Sequence, residues 1–120
     1  MEKRSSKSRR RRRPRPRIPP SRLEAMIEEA VVDAYTDSEQ AGGLHAMIEQ
    51  ELDLPFETTV LGVTVSVKRV DINENDEIVA LCSQGRERQT IPILELPLPD
   101  PPPTGWAWIE AYRRWARGRS

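Results

Sequence analysis

Three acidic residues, Asp33, Asp37 and Glu39, lie within seven positions at the junction of two amphipathic helical patterns. No Lys or Arg occurs between Arg22 and Lys68, and this interval holds ten acidic residues. Carboxylates packed this densely without cations repel one another, so their charge has to be offset. Ca2+ binds about six to eight oxygens drawn from carboxylates, carbonyls and water. The junction therefore predicts a calcium site with these three acids as primary ligands.

A plainer interpretation of the junction stays open, because Asp37 and Glu39 also suit the positive end of a helix. A second group of oxygen-bearing side chains follows in a turn between two strand-like segments, at Asp71, Asn73 and Asp76. Their order resembles the first half of a helix-loop-helix calcium loop, but Asp76 stands where that loop needs glycine. We expect a hairpin turn here, whose oxygens form a weaker second ligand set.

The remaining reactive residues give little support for catalysis or for another metal. His45 is the sole histidine and Cys82 the sole cysteine, far apart in sequence, so they make no zinc ligand set. There is no glycine-rich phosphate loop and no arrangement of Ser, Cys or His that would make a nucleophile. Cys82 lies in an apolar run and is expected to be buried. We therefore expect a protein that is not an enzyme.

Charge divides the chain into a basic tail and an acidic body. Residues 1–22 hold eleven Lys or Arg and one acid, a net charge of +10, whereas residues 23–112 carry a net charge of −14. The unbroken arginines at 9–13 and the prolines after them predict an extended, disordered tail over residues 1–21. Three roles are open for this tail: a solubilising extension, contact with nucleic acid or an anionic surface, or binding of the acidic body through residues 3–17.

The acidic residues must be positioned by two helices. Apolar residues at spacings of three and four predict a first helix over about 22–35, with Ser21 as its N-cap and Glu24 completing a capping box. Thr36 and Glu39 predict a second capping box, opening a helix that ends near residue 52. The Gly42–Gly43 pair inside that pattern indicates a bend, a close backbone approach or a helix that starts only at residue 44.

Beyond residue 55 the apolar period changes to two. Segments near 60–70, 78–83 and 88–94, with 56–61 as a fourth, predict an antiparallel meander of three to four strands. A proline-rich segment over 95–105 precedes an aromatic helix over 106–117. The sequence thus predicts an α+β fold in a single domain over residues 22–120. No run approaches the roughly 18 apolar residues of a membrane span, and no secretory signal occurs, so we expect a cytoplasmic protein.

Several of these segments together resemble the small calcium-binding protein family known from cyanobacteria. They are residues 26–35, 39–40, 54–57, 60–62, 79–82, 91–99 and 108–113. The resemblance implies an α+β fold and reversible calcium binding by acidic side chains, as a buffer or sensor in calcium signalling. The arginine-rich tail departs from the family pattern. The alternative function is a nucleic-acid-associated adaptor, whose tail docks on phosphate while the body binds a protein partner that the sequence does not identify.

Overall fold

The structure is a computed structural model that describes residues 17–118, so nearly all of the basic tail lies outside the described residues. The predicted disorder of the tail, its contacts and the domain division at residue 21 remain predictions. Three helices and a four-stranded antiparallel sheet confirm the α+β fold. The elements are α1 (Pro20–Ala30), α2 (Asp37–Glu51), β1 (Phe56–Val60), β2 (Val63–Ile72), β3 (Ile78–Gln84), β4 (Glu87–Pro92), a 3-10 helix (Ile93–Glu95) and α3 (Ala107–Arg117).

The start of α1 differs from the sequence prediction. The helix begins at Pro20, with Pro19 as N-cap and no side-chain cap hydrogen bond, so the predicted Ser21–Glu24 capping box is wrong. Proline suits the first helical position because its φ is already helical and it lacks the N–H that would go unpaired there. Ser21 consequently lies inside the first turn.

The end of α1 also differs, because the helix stops at Ala30 and not at residue 35. Asp33 has a φ of +65°, a left-handed conformation that no α-helix continues through. The apolar stripe therefore packs only as far as Ala30, and Tyr35 is 86% exposed. The shortened helix leaves residues 31–36 as a connecting loop.

Helix α2 begins with the predicted capping box: the Thr36 side chain accepts from the Glu39 N–H, and the Glu39 side chain accepts from the N-cap N–H. The helix runs through both glycines, so neither a bend nor a start at residue 44 is needed to explain them. A Cβ on Gly43 would overlap the backbone carbonyl of Ala30, whereas a Cβ on Gly42 would meet open space. The expectation of a close backbone approach is confirmed at Gly43.

The sheet is a simple meander in the order β1-β2-β3-β4, with every neighbouring pair antiparallel. A two-residue turn, Leu61–Gly62, joins β1 to β2 with both φ values positive, as in a type I′ hairpin. The register between β2 and β3 shifts between Val67 and Arg69, which marks a β-bulge at Lys68. This bulge determines which side chains share the outer face of the sheet.

The core fills the space between the inner face of the sheet and the helices. Leu44 and Ile48 of α2 are fully buried, and Tyr112 of α3 accepts a hydrogen bond from the Ile78 N–H with its hydroxyl, at 3.2 Å. Cys82 is 3% exposed, which confirms the prediction that it is buried. Trp108 and Tyr112 are buried with Trp115 packed beside them, so the predicted role of the aromatic helix in the core is also confirmed. Among residues 17–118 no helix is long and apolar enough to cross a membrane.

The glycine pair gives a matched test of this packing. We expect Gly43→Ala to destabilise the protein by about 1–3 kcal/mol, because the new methyl group meets backbone that cannot move aside easily. Gly42→Ala should instead stabilise it by up to about 1 kcal/mol, since alanine is the better helix former and has free space there. Urea unfolding of both variants measures the difference. Equal effects of the two substitutions would show that α1 does not pack this closely on α2.

Candidate metal centre

The first predicted ligand, Asp33, lies in the loop between α1 and α2. The Ala34 N–H donates to the Val31 carbonyl at 2.9 Å, closing a turn in which Asp33 adopts its left-handed conformation. Aspartate is among the few residues with a Cβ that visit this region readily. Its side chain is exposed, which leaves its carboxylate at the surface of the loop.

Asp37 and Glu39 occupy the first turn of α2. One carboxylate oxygen of Glu39, Oε1, accepts from the backbone N–H groups of Tyr35 (2.7 Å) and Thr36 (3.2 Å). Glu39 therefore caps the helix, as the plainer interpretation proposed, and keeps its Oε2 for other contacts. Both acids lie at the positive end of the helix dipole, which offsets part of their mutual repulsion.

The second predicted ligand set lies in and beside the β2–β3 turn, where its members have different roles. Asn73 holds the turn together: its Oδ1 accepts from the N–H groups of Asn75 (2.9 Å) and Glu77 (3.0 Å). Asp76 has a φ of +62°, so it adopts the left-handed conformation for which the helix-loop-helix calcium loop uses glycine. Asp71 accepts from the Ile72 N–H at 2.8 Å, and strand alternation places it on the outer face of the sheet.

A side-chain hydrogen bond links the first turn of α2 to the second predicted set. The Ser38 hydroxyl donates to Asp76 Oδ1 at 3.1 Å, across 38 residues of sequence. It holds the tip of the β2–β3 turn beside the first turn of α2, which also carries Asp37 and Glu39. Sequence reasoning missed this neighbourhood, because no local pattern tells how the hairpin packs against the helix.

Among residues 17–118, three of the predicted ligands lie without a cationic partner. Within the described chain, Asp33, Glu39 and Asp76 form no ion pair. In the same part of the chain no three His, Cys, Asp or Glu side chains are arranged so that they could hold a metal ion. The donors are carboxylate, amide and hydroxyl oxygens, so their chemistry fits a hard cation such as Ca2+. The assignment of Asp33, Asp37 and Glu39 as its ligands stays a prediction.

The other reactive residues stay apart from this site. His45, in the middle of α2, has a buried Nε2 without a hydrogen-bond partner among residues 17–118. Cys82 lies in β3, and burial raises the pKa of its thiol, which keeps it protonated and unreactive near neutral pH. The two residues lie in different elements, and one His with one Cys is too small a set to hold a structural zinc ion.

Comparison with known proteins gives one match. Residues 24–116 match the model of the CcbP family, whose description is calcium binding. The matched span begins in α1 and ends in α3, so it includes the connecting loop, the first turn of α2 and the β2–β3 turn, and it leaves out the basic tail. No match is found among curated proteins or among solved structures.

The contact between helix and hairpin can be tested by removing its hydroxyl. We expect Ser38→Ala to raise the amide exchange rates of residues 73–77 and to cost about 0.5–1.5 kcal/mol of stability, the usual contribution of one hydrogen bond. Ser21→Ala is the control, because it removes an exposed serine hydroxyl from a helix without breaking a bond. Hydrogen exchange followed by NMR measures both variants, and unchanged exchange in Ser38→Ala would show that the contact does not anchor the turn.

Proposed function

The chain belongs to the CcbP family of calcium-binding proteins, and we propose that it acts as a calcium sensor through acids of the connecting loop, the α2 N-terminus and the β2–β3 turn. The hydrogen bond between Ser38 and Asp76 is the observation that carries this proposal, since it brings the two acidic segments together. Bound Ca2+ would supply positive charge that offsets carboxylate repulsion and links these segments.

Availability of oxygens ranks the ligands. Asp33 is exposed within the connecting loop, Asp37 is exposed at the start of α2 and already has an interaction of its own, and Glu39 keeps one oxygen after capping. Asp76 extends this primary set from the hairpin side. Asn73 and Asp71 rank lower, because the Asn73 oxygen already accepts two hydrogen bonds and Asp71 lies on the outer face of the sheet.

A sensor is favoured over a buffer by the arrangement of these acids. No three of the acids in residues 17–118 are arranged so that they could hold a metal, so a calcium site at these acids would have to be assembled when the ion binds. The connecting loop belongs to neither helix and exposes Val32 (69%) and Tyr35 (86%), so we expect it to be the segment that moves. Sensor proteins change conformation on binding calcium, whereas buffer sites change little. Val32 and Tyr35 would then change their exposure together with the acids.

Calcium should raise the melting temperature of the full chain. A ligand at 100 times its dissociation constant stabilises the folded state by about 2.7 kcal/mol, and magnesium should do so much less because it gives up its water reluctantly. Thermal unfolding followed by circular dichroism, with each ion in turn, measures this. Equal small shifts from both ions would indicate charge screening and contradict a calcium site.

The ligand assignment has its own test. We expect the double variant Asp33→Asn and Asp37→Asn to bind calcium at least about tenfold more weakly, because affinity follows the number of charged ligands. The matched control, Glu49→Gln with Asp53→Asn, removes the same charge near the opposite end of α2, about 18 Å away at 1.5 Å per residue. Isothermal titration measures both affinities. Equal weakening in the two variants would mean that net charge, and not a site at the junction, attracts the ion.

A further inference from the structure

The cations of the acidic body gather in one place. Residues 23–112 contain four Lys or Arg, and three of them, Lys68, Arg69 and Arg88, line a single cleft. None of these three forms an ion pair or side-chain hydrogen bond within the described residues, although the surrounding body has a large excess of acids. By contrast, Arg113 and Arg114 of α3 pair with Glu110 and Glu24. Ion pairing within the protein therefore does not explain why these three cations lie close together.

The β-bulge explains how two of these cations come to lie side by side. Val67 and Val70 are both buried against the core, so the two residues between them, Lys68 and Arg69, are left on the outer face. A regular strand would have directed one of the two inward. Because of the bulge, two cations and not one lie next to each other on the outer face of the sheet, which is the face opposite the helices.

The third cation approaches from the other side of β3. Arg88 of β4 pairs in register with Ser83, while Arg69 and Thr90 both pair with Leu81. Neighbouring strands lie about 4.7–4.9 Å apart, so outward side chains of β2 and β4 stand about 10 Å apart on either side of β3. Long Lys and Arg side chains can converge over a gap of this width.

The cleft suits a small anion with several oxygens. Its volume is about 610 Å³, within the usual range of small-molecule pockets, and Ser83, Gln89 and Thr90 add polar groups to the lining. Guanidinium groups match phosphate oxygens in pairs, and lysine adds a mobile point charge. We propose that this cleft binds a compact phosphate-bearing ligand, a site separate from the calcium-binding acids.

Two features favour a compact ligand over a nucleic acid strand. No aromatic residue lines the cleft, so there is no platform on which bases would stack. An acidic residue also borders the cations, because Asp71 lies on the same outer face. A long polyanion crossing this face would meet this acid within the screening distance of about 8–10 Å, whereas a small one would not have to.

The test uses inorganic pyrophosphate and the full chain in calcium-free buffer. Titration followed by nitrogen–proton NMR should shift the amides of Arg69, Ser83 and Arg88 and give a dissociation constant from those residues. The double variant Arg69→Gln and Arg88→Gln should raise this dissociation constant at least tenfold, as expected for the loss of charged hydrogen bonds. Arg86→Gln is the matched control, because Arg86 lies in the adjoining turn outside the cleft lining and should change the constant less than twofold. The same spectra report whether each variant is folded.

Three results would overturn the proposal. Shifts confined to residues 3–17 would mean that the basic tail alone binds the anion. Equal weakening by Arg86→Gln and the double variant would mean that overall charge attracts it. Tighter binding of a single-stranded oligonucleotide at the same cleft amides would make this face a nucleic-acid surface. Because calcium is absent from the titration, none of these results bears on the calcium proposal.

Discussion

The contact between the Ala30 carbonyl and Gly43 is the constraint on which the helical layer depends. With no side chain at residue 43, the end of α1 lies directly against the backbone of α2, and the chain has to reverse direction within residues 31–36. That reversal is tight enough to require a left-handed residue, and it places an acid, Asp33, at this point. Helix packing and the position of the candidate calcium ligands therefore share one cause, which is backbone-to-backbone contact.

Charge is divided between the two layers: acids gather at the helical layer and cations gather on the outer face of the sheet. The connecting loop and the α2 N-terminus carry acids, and helix capping together with the helix dipole offsets part of their repulsion. The unpaired cations of the body lie across the sheet on its outer face, where a bulge in β2 turns two of them outward. The core lies between the acids and the outward cations, so the proposed calcium and phosphate sites would share no residues.

The sequence was informative where the signal is local. Alternating apolar residues predicted the meander, Thr36 and Glu39 predicted the cap of α2, and a close approach was one of the alternatives that the glycine pair indicated. The start and end of α1 were misplaced because Pro20 outcompetes a serine cap, and because tertiary packing ends the helix earlier than its apolar pattern does. For the candidate site, the sequence indicated which residue types could bind an ion, but it did not indicate which of them lie close together in the fold. The contact from Ser38 to Asp76 and the gathering of cations by a bulge both depend on pairing and packing over long sequence distances.

The proline-rich segment after the 3-10 helix is held at both ends. The Thr58 hydroxyl donates to the Pro97 carbonyl at 2.6 Å, and the Asp53 N–H donates to the Thr104 carbonyl at 2.9 Å. Next to it, Gly105 has a φ of +90° and lies against the backbone of Glu51. The segment is thus a spacer fixed at both ends between the sheet and α3, and we expect a change in its length to disturb one of these contacts. The fully exposed β1–β2 turn at Leu61 has no such tethers, so a fluorescent reporter or affinity label grafted into the protein belongs there.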